Sequence, residues 1–199
     1  AIIGSGNENV KVNLSKANFS NRNSNSSWFE GISEIDLAGA NFESSNMSGS
    51  FRSSRKVNLS NANFTNANMA QLFVTNSNLV EVNLKDVITT GVKDMNSMFA
   101  LCSSLASLDL SSFDTSSVTN MNSMFTGCTS LVDLNMTSFD FTKSSSSRGS
   151  VWFSSDLKGE LKVNLSNANF SNVSNIYGIM NNISEINLSG ANFTGATMG

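Results

Sequence analysis

The chain has 199 residues and a formal net charge of −3, from 12 Lys+Arg and 15 Asp+Glu. That balance excludes the broad basic footprint of a nucleic-acid or anionic-membrane binder, and no apolar run is long enough to span a bilayer. Histidine is absent, which removes the usual general base, the usual neutral metal ligand and every Ser-His or Cys-His pair. The two cysteines cannot build a zinc site alone. The parts are therefore those of a non-enzyme without cofactor or metal. No basic-then-apolar leader opens the chain, and Ala1 reads as a processed or truncated start.

A short phrase recurs from the first residues to the last. It reads "VNLSKANF" from Val12, "IDLAGANF" from Ile35, "VNLSNANF" from Val57 and "VNLKDVIT" from Val82. It continues as "LDLSSFDT" from Leu108, "LNMTSFDF" from Leu134, "VNLSNANF" from Val163 and "INLSGANF" from Ile186. The spacings are 23, 22, 25, 26, 26, 29 and 23 residues, those of a solenoid of eight rungs over residues 1–199. Strand cores fall at 12–14, 35–37, 57–59, 82–84, 108–110, 134–136, 163–165 and 186–188. Each core alternates apolar, polar, apolar, so its outer two residues face inward and the middle one outward. Asn13, Asp36, Asn58, Asn83, Asp109, Asn135, Asn164 and Asn187 then form one outward column.

Between cores lies a bulky pair: Trp28-Phe29, the weaker Ser50-Phe51, Leu72-Phe73, Met98-Phe99, Met124-Phe125, Trp152-Phe153 and Ile179-Met180. Met69, Met95, Met121 and Ile176 stand three residues before the pair, and Val92 and Val118 three further back. That spacing predicts a short helical face packed against the sheet. The methionines and tryptophans read as core. One rung cannot bury both faces alone, whereas stacked copies share a continuous core.

Two units, "VKDMNSMFALCSSLASLDLSSFD" and "VTNMNSMFTGCTSLVDLNMTSFD", resemble the leucine-rich repeats of BspA-like surface proteins, which include mycoplasma-type repeat lipoproteins. The resemblance covers roughly residues 90 to 142. It implies a leucine-rich-repeat-like solenoid, with a parallel sheet on one side and short helices or 3-10 turns on the other. It implies a secreted or surface-anchored protein working in adhesion or protein binding, without catalysis. The other units carry Ala-Asn-Phe in place of Ser-Phe-Asp and lack Cys. "ANFTNANMAQ" and "ANFTGATMG" resemble instead a pentapeptide-type β-helix, which stands as the second fold reading.

A longer period overlies the rungs. Val163 repeats Val12, and Ile186 repeats Ile35, each at 151 residues, so the chain reads as a window of a longer array. Neither end has the polar cap that a solenoid needs, which implies either more chain or subunits stacked end to end. The residue before each core runs Lys11, Glu34, Lys56, Glu81, Ser107, Asp133, Lys162, Glu185. Signs alternate wherever charges occur, and Glu185 and Lys11 close the column as an end-to-end joint would. A solvated ladder without a role in assembly explains the same column.

Two other features carry paired readings. The Asn/Asp column is a candidate binding face for proteins or glycans at a cell surface, or else an amide ladder that satisfies itself. Cys102 and Cys128 hold equivalent positions on successive rungs, within disulfide reach, but parallel side-chain vectors favour buried free thiols. "TKSSSSRGS", Thr142 to Ser150, reads as a flexible polar excursion. Most of the Asn-x-Ser/Thr sequons arise from the repeat text itself.

Overall fold

The computed structural model describes residues 10–23, 28–144, 161–174 and 183–197. Among them are eight strands: β1 Lys11–Asn13, β2 Glu34–Asp36, β3 Lys56–Asn58, β4 Glu81–Asn83, β5 Ser107–Asp109, β6 Asp133–Asn135, β7 Leu161–Asn164 and β8 Ile183–Asn187. Every strand pair is parallel, and the molecule is a parallel β-solenoid. Each circuit of chain that begins at a strand is a rung and takes that strand's number. The repeat text sets the register: Val12, Ile35, Val57 and Val82 lie opposite one another, as do Leu108, Leu134, Val163 and Ile186. The pairs Trp152-Phe153 and Ile179-Met180, Ile176 and the stretch from 145 to 150 lie outside the described residues.

The sheet is not one continuous surface. It divides into β1-β2-β3-β4 and β5-β6-β7-β8, and no strand pairing joins β4 to β5. Side chains take over at that seam. The Asp86 backbone N–H donates to Ser112 Oγ at 2.9 Å instead of to a carbonyl. Leu59 and Leu110 donate to Asn83 and Asn135 of the next rung, but Leu84 makes no corresponding bond to Asp109.

The expected helical face is also absent: no described residue is in an α- or 3-10 helix. Residues 95–102 show why. Met98, Ala100 and Cys102 donate their N–H groups three residues back, to Met95, Ser97 and Phe99. Met95, Ser97, Phe99 and Leu101 donate instead to the next rung, to Asn120, Asn122, Met124 and Thr126. A helix would use every N–H inside its own segment; here alternate ones are spent between rungs. Ser97 and Leu101 also sit at φ 52° and 64°, left-handed values that end a helix.

Elsewhere the turns step by five residues. Left-handed residues recur at Gly39, Ser44 and Gly49 in rung 2, at Asn61, Asn66 and Gln71 in rung 3, and at Asn167 and Asn172 in rung 7. Within each step an inward apolar residue opens a four-residue turn, as in Ala40 N–H to Leu37 O, Ser45 to Phe42 and Ser50 to Met47. The Asn and Gly of the repeat text suit the left-handed corner, which is strained for most other residues. The spacing proper to the second fold reading is thus realised locally inside a rung whose strands follow the first.

The core runs unbroken through the described rungs. Phenylalanines stack like on like: Phe19, Phe42 and Phe64 at 5.2 and 5.0 Å, and Phe29, Phe51, Phe73, Phe99 and Phe125 at 5.1 to 6.0 Å. Phe141, Phe170 and Phe193 form another column, at 4.7 and 5.0 Å. Between Phe64 and Phe141 that ring position is held by Thr89 and Thr115, and the preceding inward position changes from Ala62 to Val87 and Phe113, all buried. Volume lost at one site is thereby restored two residues away, as dense packing requires.

The threonine hydroxyls need partners of their own. Thr115 Oγ1 accepts from Asp140 N–H at 2.7 Å and donates to Asp140 O at 3.2 Å, and Thr89 does the same for Asp114. Thr115→Val keeps the shape and removes both bonds, leaving a buried rung junction unsatisfied. The expected loss is about 1–3 kcal/mol, read as a lower urea midpoint with unchanged circular dichroism. An unchanged midpoint would show that the hydroxyl does not hold rungs 5 and 6 together.

Candidate functional site: the sheet face

The outward face of the first sheet is a trough of about 500 Å³. One wall is the charged column Lys11, Glu34, Lys56 and Glu81; the other is Asn13, Asp36, Asn58 and Asn83; Val12, Ile35 and Val57 form its floor. A second trough, of about 380 Å³, lies over β5 to β7 and is lined by Ser107, Leu108, Asp109, Asp133, Asn135 and Asn164. Both follow from period-two alternation in strands three to five residues long, which places two outward side chains beside one inward anchor.

The charged wall is neutralised in pairs. Lys11 Nζ lies 2.8 Å from Glu34 and Lys162 Nζ 2.9 Å from Glu185, and Lys56 pairs with Glu81. Arg55 adds a longer contact of 3.9 Å to Glu34. The hydrogen bond from Lys11 holds the Glu34 carboxyl below its ordinary value, helped by the charges of Lys56 and Arg55. Bonding to Glu185 raises Lys162. Lys11 and Glu185, the two residues marked for an end-to-end joint, stand on the outermost strands of the described structure, β1 and β8.

The Asn/Asp column is first a set of turn caps. In all eight members the side-chain oxygen accepts from the backbone N–H two residues on: Asn13 from Ser15, Asp36 from Ala38, Asn58 from Ser60 and Asn83 from Lys85. Asp109, Asn135, Asn164 and Asn187 do the same for Ser111, Thr137, Ser166 and Ser189. This is the Asx turn. Asn58 Nδ2 also bonds Asp36 at 2.9 Å, and Asn135 Nδ2 bonds Asp109 at 3.0 Å. Each member therefore commits one oxygen to its own turn, two junctions are cross-linked, and a ligand would find the column rigid.

A second ladder runs beside the first. Asn63 bonds Asn41 at 3.2 Å, Asn192 bonds Asn169 at 3.2 Å, and Asn169 bonds Asp140 at 3.3 Å. Hydroxyls two residues on reinforce the caps, as Thr65 does for Asn63 at 2.6 Å and Thr137 for Asn135 at 2.7 Å. The repeated Asn-x-Ser/Thr text is thus a turn-capping rule.

Cys102 and Cys128 are buried and free. Their thiols donate to main-chain oxygens of the preceding rung: Cys102 Sγ to Phe73 O at 3.3 Å and Cys128 Sγ to Phe99 O at 3.1 Å. One rung earlier, Asn76 Nδ2 makes the same bond to Phe51 O at 2.9 Å. The shared frame Phe-x-x-(Asn or Cys)-x-x-Leu carries the signal in the sequence, from Phe73 to Leu79, Phe99 to Leu105 and Phe125 to Leu131.

A parallel β-solenoid whose rungs repeat the same strand and turns defines a repeat protein. The chain belongs to the family described as "Mycoplasma protein of unknown function, DUF285", whose family model matches residues 45–163, more than half of the sequence. No curated protein matches it. Among the described residues no helix is long and apolar enough to cross a membrane.

Burial pushes the Cys128 thiol up to about 12 and raises Cys102 as well, where the nearby Cys128 adds to the effect. Thiolate is the reactive form, so neither cysteine should react with maleimide in the native protein at pH 7.5. Both should react in urea. Rapid stoichiometric labelling without denaturant would contradict the geometry.

Proposed function

We propose that this chain is an extracellular or cell-surface binding module that holds partner proteins or glycans on its outward sheet face. The observation that carries the reading is the trough over β1 to β4. Its charged wall is fixed by ion pairs and its polar wall by Asx turns, so little side-chain freedom is lost when a partner is engaged. Solenoids present such extended surfaces for binding. The Met-x-x-Met-Phe-x-x-Cys units support placing the chain with BspA-like, leucine-rich-repeat-like surface proteins, and membership of a mycoplasma family is compatible with that placement. A binding role rather than a catalytic one also suits a chain without histidine.

The reading is tested with arrays of extracellular proteins and glycans. Lys56→Glu sets three carboxylates in a row on the first trough, while costing only about 0–1 kcal/mol for the lost exposed pair. Saturable binding by the parent chain should fall at least about tenfold with Lys56→Glu, and Leu101→Asp on the opposite, turn-lined side should leave it unchanged. Binding that survives Lys56→Glu and disappears with Leu101→Asp would move the function off the sheet.

A further inference from the structure

Among the described strands, β4 and β5 are the only neighbours in chain order that do not pair. Between rungs 3 and 4, Val80 and Glu81 donate to Arg55 O, Leu59 to Asn83 O at 2.8 Å and Asn61 to Lys85 O at 2.8 Å. Between rungs 5 and 6, Val132 and Asp133 donate to Ala106 O and Leu110 to Asn135 O. Between rungs 4 and 5 the equivalent donors Ala106, Ser107 and Leu84 make no such bond. One corner is also different. Two residues after the third core residue the chain turns through a left-handed residue: Lys16, Gly39, Asn61, Asp86, Ser138, Asn167 and Gly190, at φ 56° to 70°. Ser112, at that place in rung 5, is not left-handed. Asp86 N–H then meets Ser112 Oγ at 2.9 Å, where Asn61 meets a carbonyl.

The core opens at the same place. Val82 is only partly buried, whereas Ile35, Val57, Leu108 and Leu134, its equivalents, are 0–4% exposed. Leu84 is buried, yet its N–H has no partner among the described residues, a costly state for a main-chain donor. The turn side of the same junction is fully bonded. Thr89 Oγ1 holds Asp114 in both directions, Thr119 donates to Lys93 O, and Met95, Ser97, Phe99 and Leu101 donate to rung 5 at 2.7 to 3.0 Å. The Phe99 and Phe125 rings stay stacked, but at 6.0 Å, against 5.1 to 5.2 Å for the other pairs of that column. The junction is a wedge, shut along the turns and open along the sheet.

We propose that the solenoid hinges at this seam. The sheet β1-β2-β3-β4 and the sheet β5-β6-β7-β8 swing as two blocks about the bonded turns from Thr89 to Leu101, and the Asp86–Ser112 hydrogen bond is the latch. Widening the seam breaks that one bond on the sheet side, whereas the same motion at the junction of rungs 3 and 4 would break a strand ladder and the bonds of Leu59, Asn61, Val80 and Glu81. Narrowing it brings a partner to Leu84 and covers Val82. The motion changes the angle between the trough over β1 to β4 and the trough over β5 to β7, so the outward face adjusts its curvature. The hinge is independent of what that face binds.

Amide hydrogen exchange, read residue by residue on the 199-residue chain, is the first test. Leu84 should exchange at least about 100-fold faster than its bonded equivalents Leu59 and Leu110, while Met95 and Phe99 stay protected. A Leu84 amide as slow as that of Leu59 overturns the open seam, and Met95 and Phe99 as fast as Leu84 overturn the turn-side axis. A thiol probe then reads the motion. Val82→Cys sets a thiol in the seam and Val57→Cys sets one at the same place in a paired junction; peptide mapping separates both from Cys102 and Cys128. Val82→Cys should be alkylated faster than Val57→Cys. Adding Ser112→Ala, which removes the latch, should speed it at least about tenfold further and leave Val57→Cys unchanged. A rate at position 82 that ignores the latch means a fixed gap and overturns the hinge.

Discussion

Among the described residues, the rungs of this solenoid satisfy most of their backbone on one another. The strands supply three to five residues per circuit, too few for a sheet that could stand alone. The remaining residues turn corner after corner, and their alternate N–H groups also reach the next rung, as at Met95, Ser97, Phe99 and Leu101. A buried main-chain group without a partner is costly. The rung-to-rung ladder is therefore the constraint that the rest of the structure serves. It forces equivalent residues into columns, and the columns force the sequence to repeat.

Within that constraint the polar side chains are structural before they are functional. An Asn or Asp at the end of each strand accepts from the amide two residues on, and two pairs, Asp36–Asn58 and Asp109–Asn135, also bond between rungs. Where the chain departs from its usual text, another polar group assumes the same duty. Thr89 and Thr115 bond the backbone of the next rung from the positions where other rungs carry phenylalanine. Cysteine thiols donate where Asn76 does. The richness in asparagine and serine, about a third of the chain, is therefore compatible with a dry core: amides and hydroxyls line its rim, and phenylalanines and methionines fill it.

The positions of the strands were legible in the sequence to within a residue or so at most ends, the strands ending at the middle residue of each expected core, and so were their register, the outward Asn/Asp column and the alternation of Lys and Glu, because period-two alternation and a recurring phrase specify them directly. The turn side was not. Val92, Met95, Met98 and Phe99 have a spacing that suits a helix and a chain of short turns equally well. What decides between them is the set of left-handed corners, and at Ser97 and Leu101 those corners lack the usual Asn or Gly. The bonding of the cysteines was hidden for a related reason. Their acceptors are main-chain oxygens 29 residues back, a partner that no side-chain pattern reveals until the rung length is known.

The seam between β4 and β5 follows from the same accounting and bears on the candidate site. Rung 4 departs most from the repeat text: Ile88 takes the place of the ladder asparagine and is exposed, and Val87 and Thr89 replace Ala and Phe. The ladder of Asn41 and Asn63 stops there, and the strands part on the sheet side. On the turn side Phe73, Phe99 and Phe125 stack straight through, and the backbone bonds continue. Nearest-neighbour interfaces set the local stability of a solenoid, so the rungs are joined here along the turns and by hydroxyls rather than along the sheet. The outward face is divided at the same place. The trough over β1 to β4 has its carboxylates largely matched by Lys and Arg, whereas Asp109 and Asp133 in the trough over β5 to β7 make no ion pair among the described residues. A partner that lies along the whole face therefore meets two surfaces of different charge, joined where the sheet is least continuous.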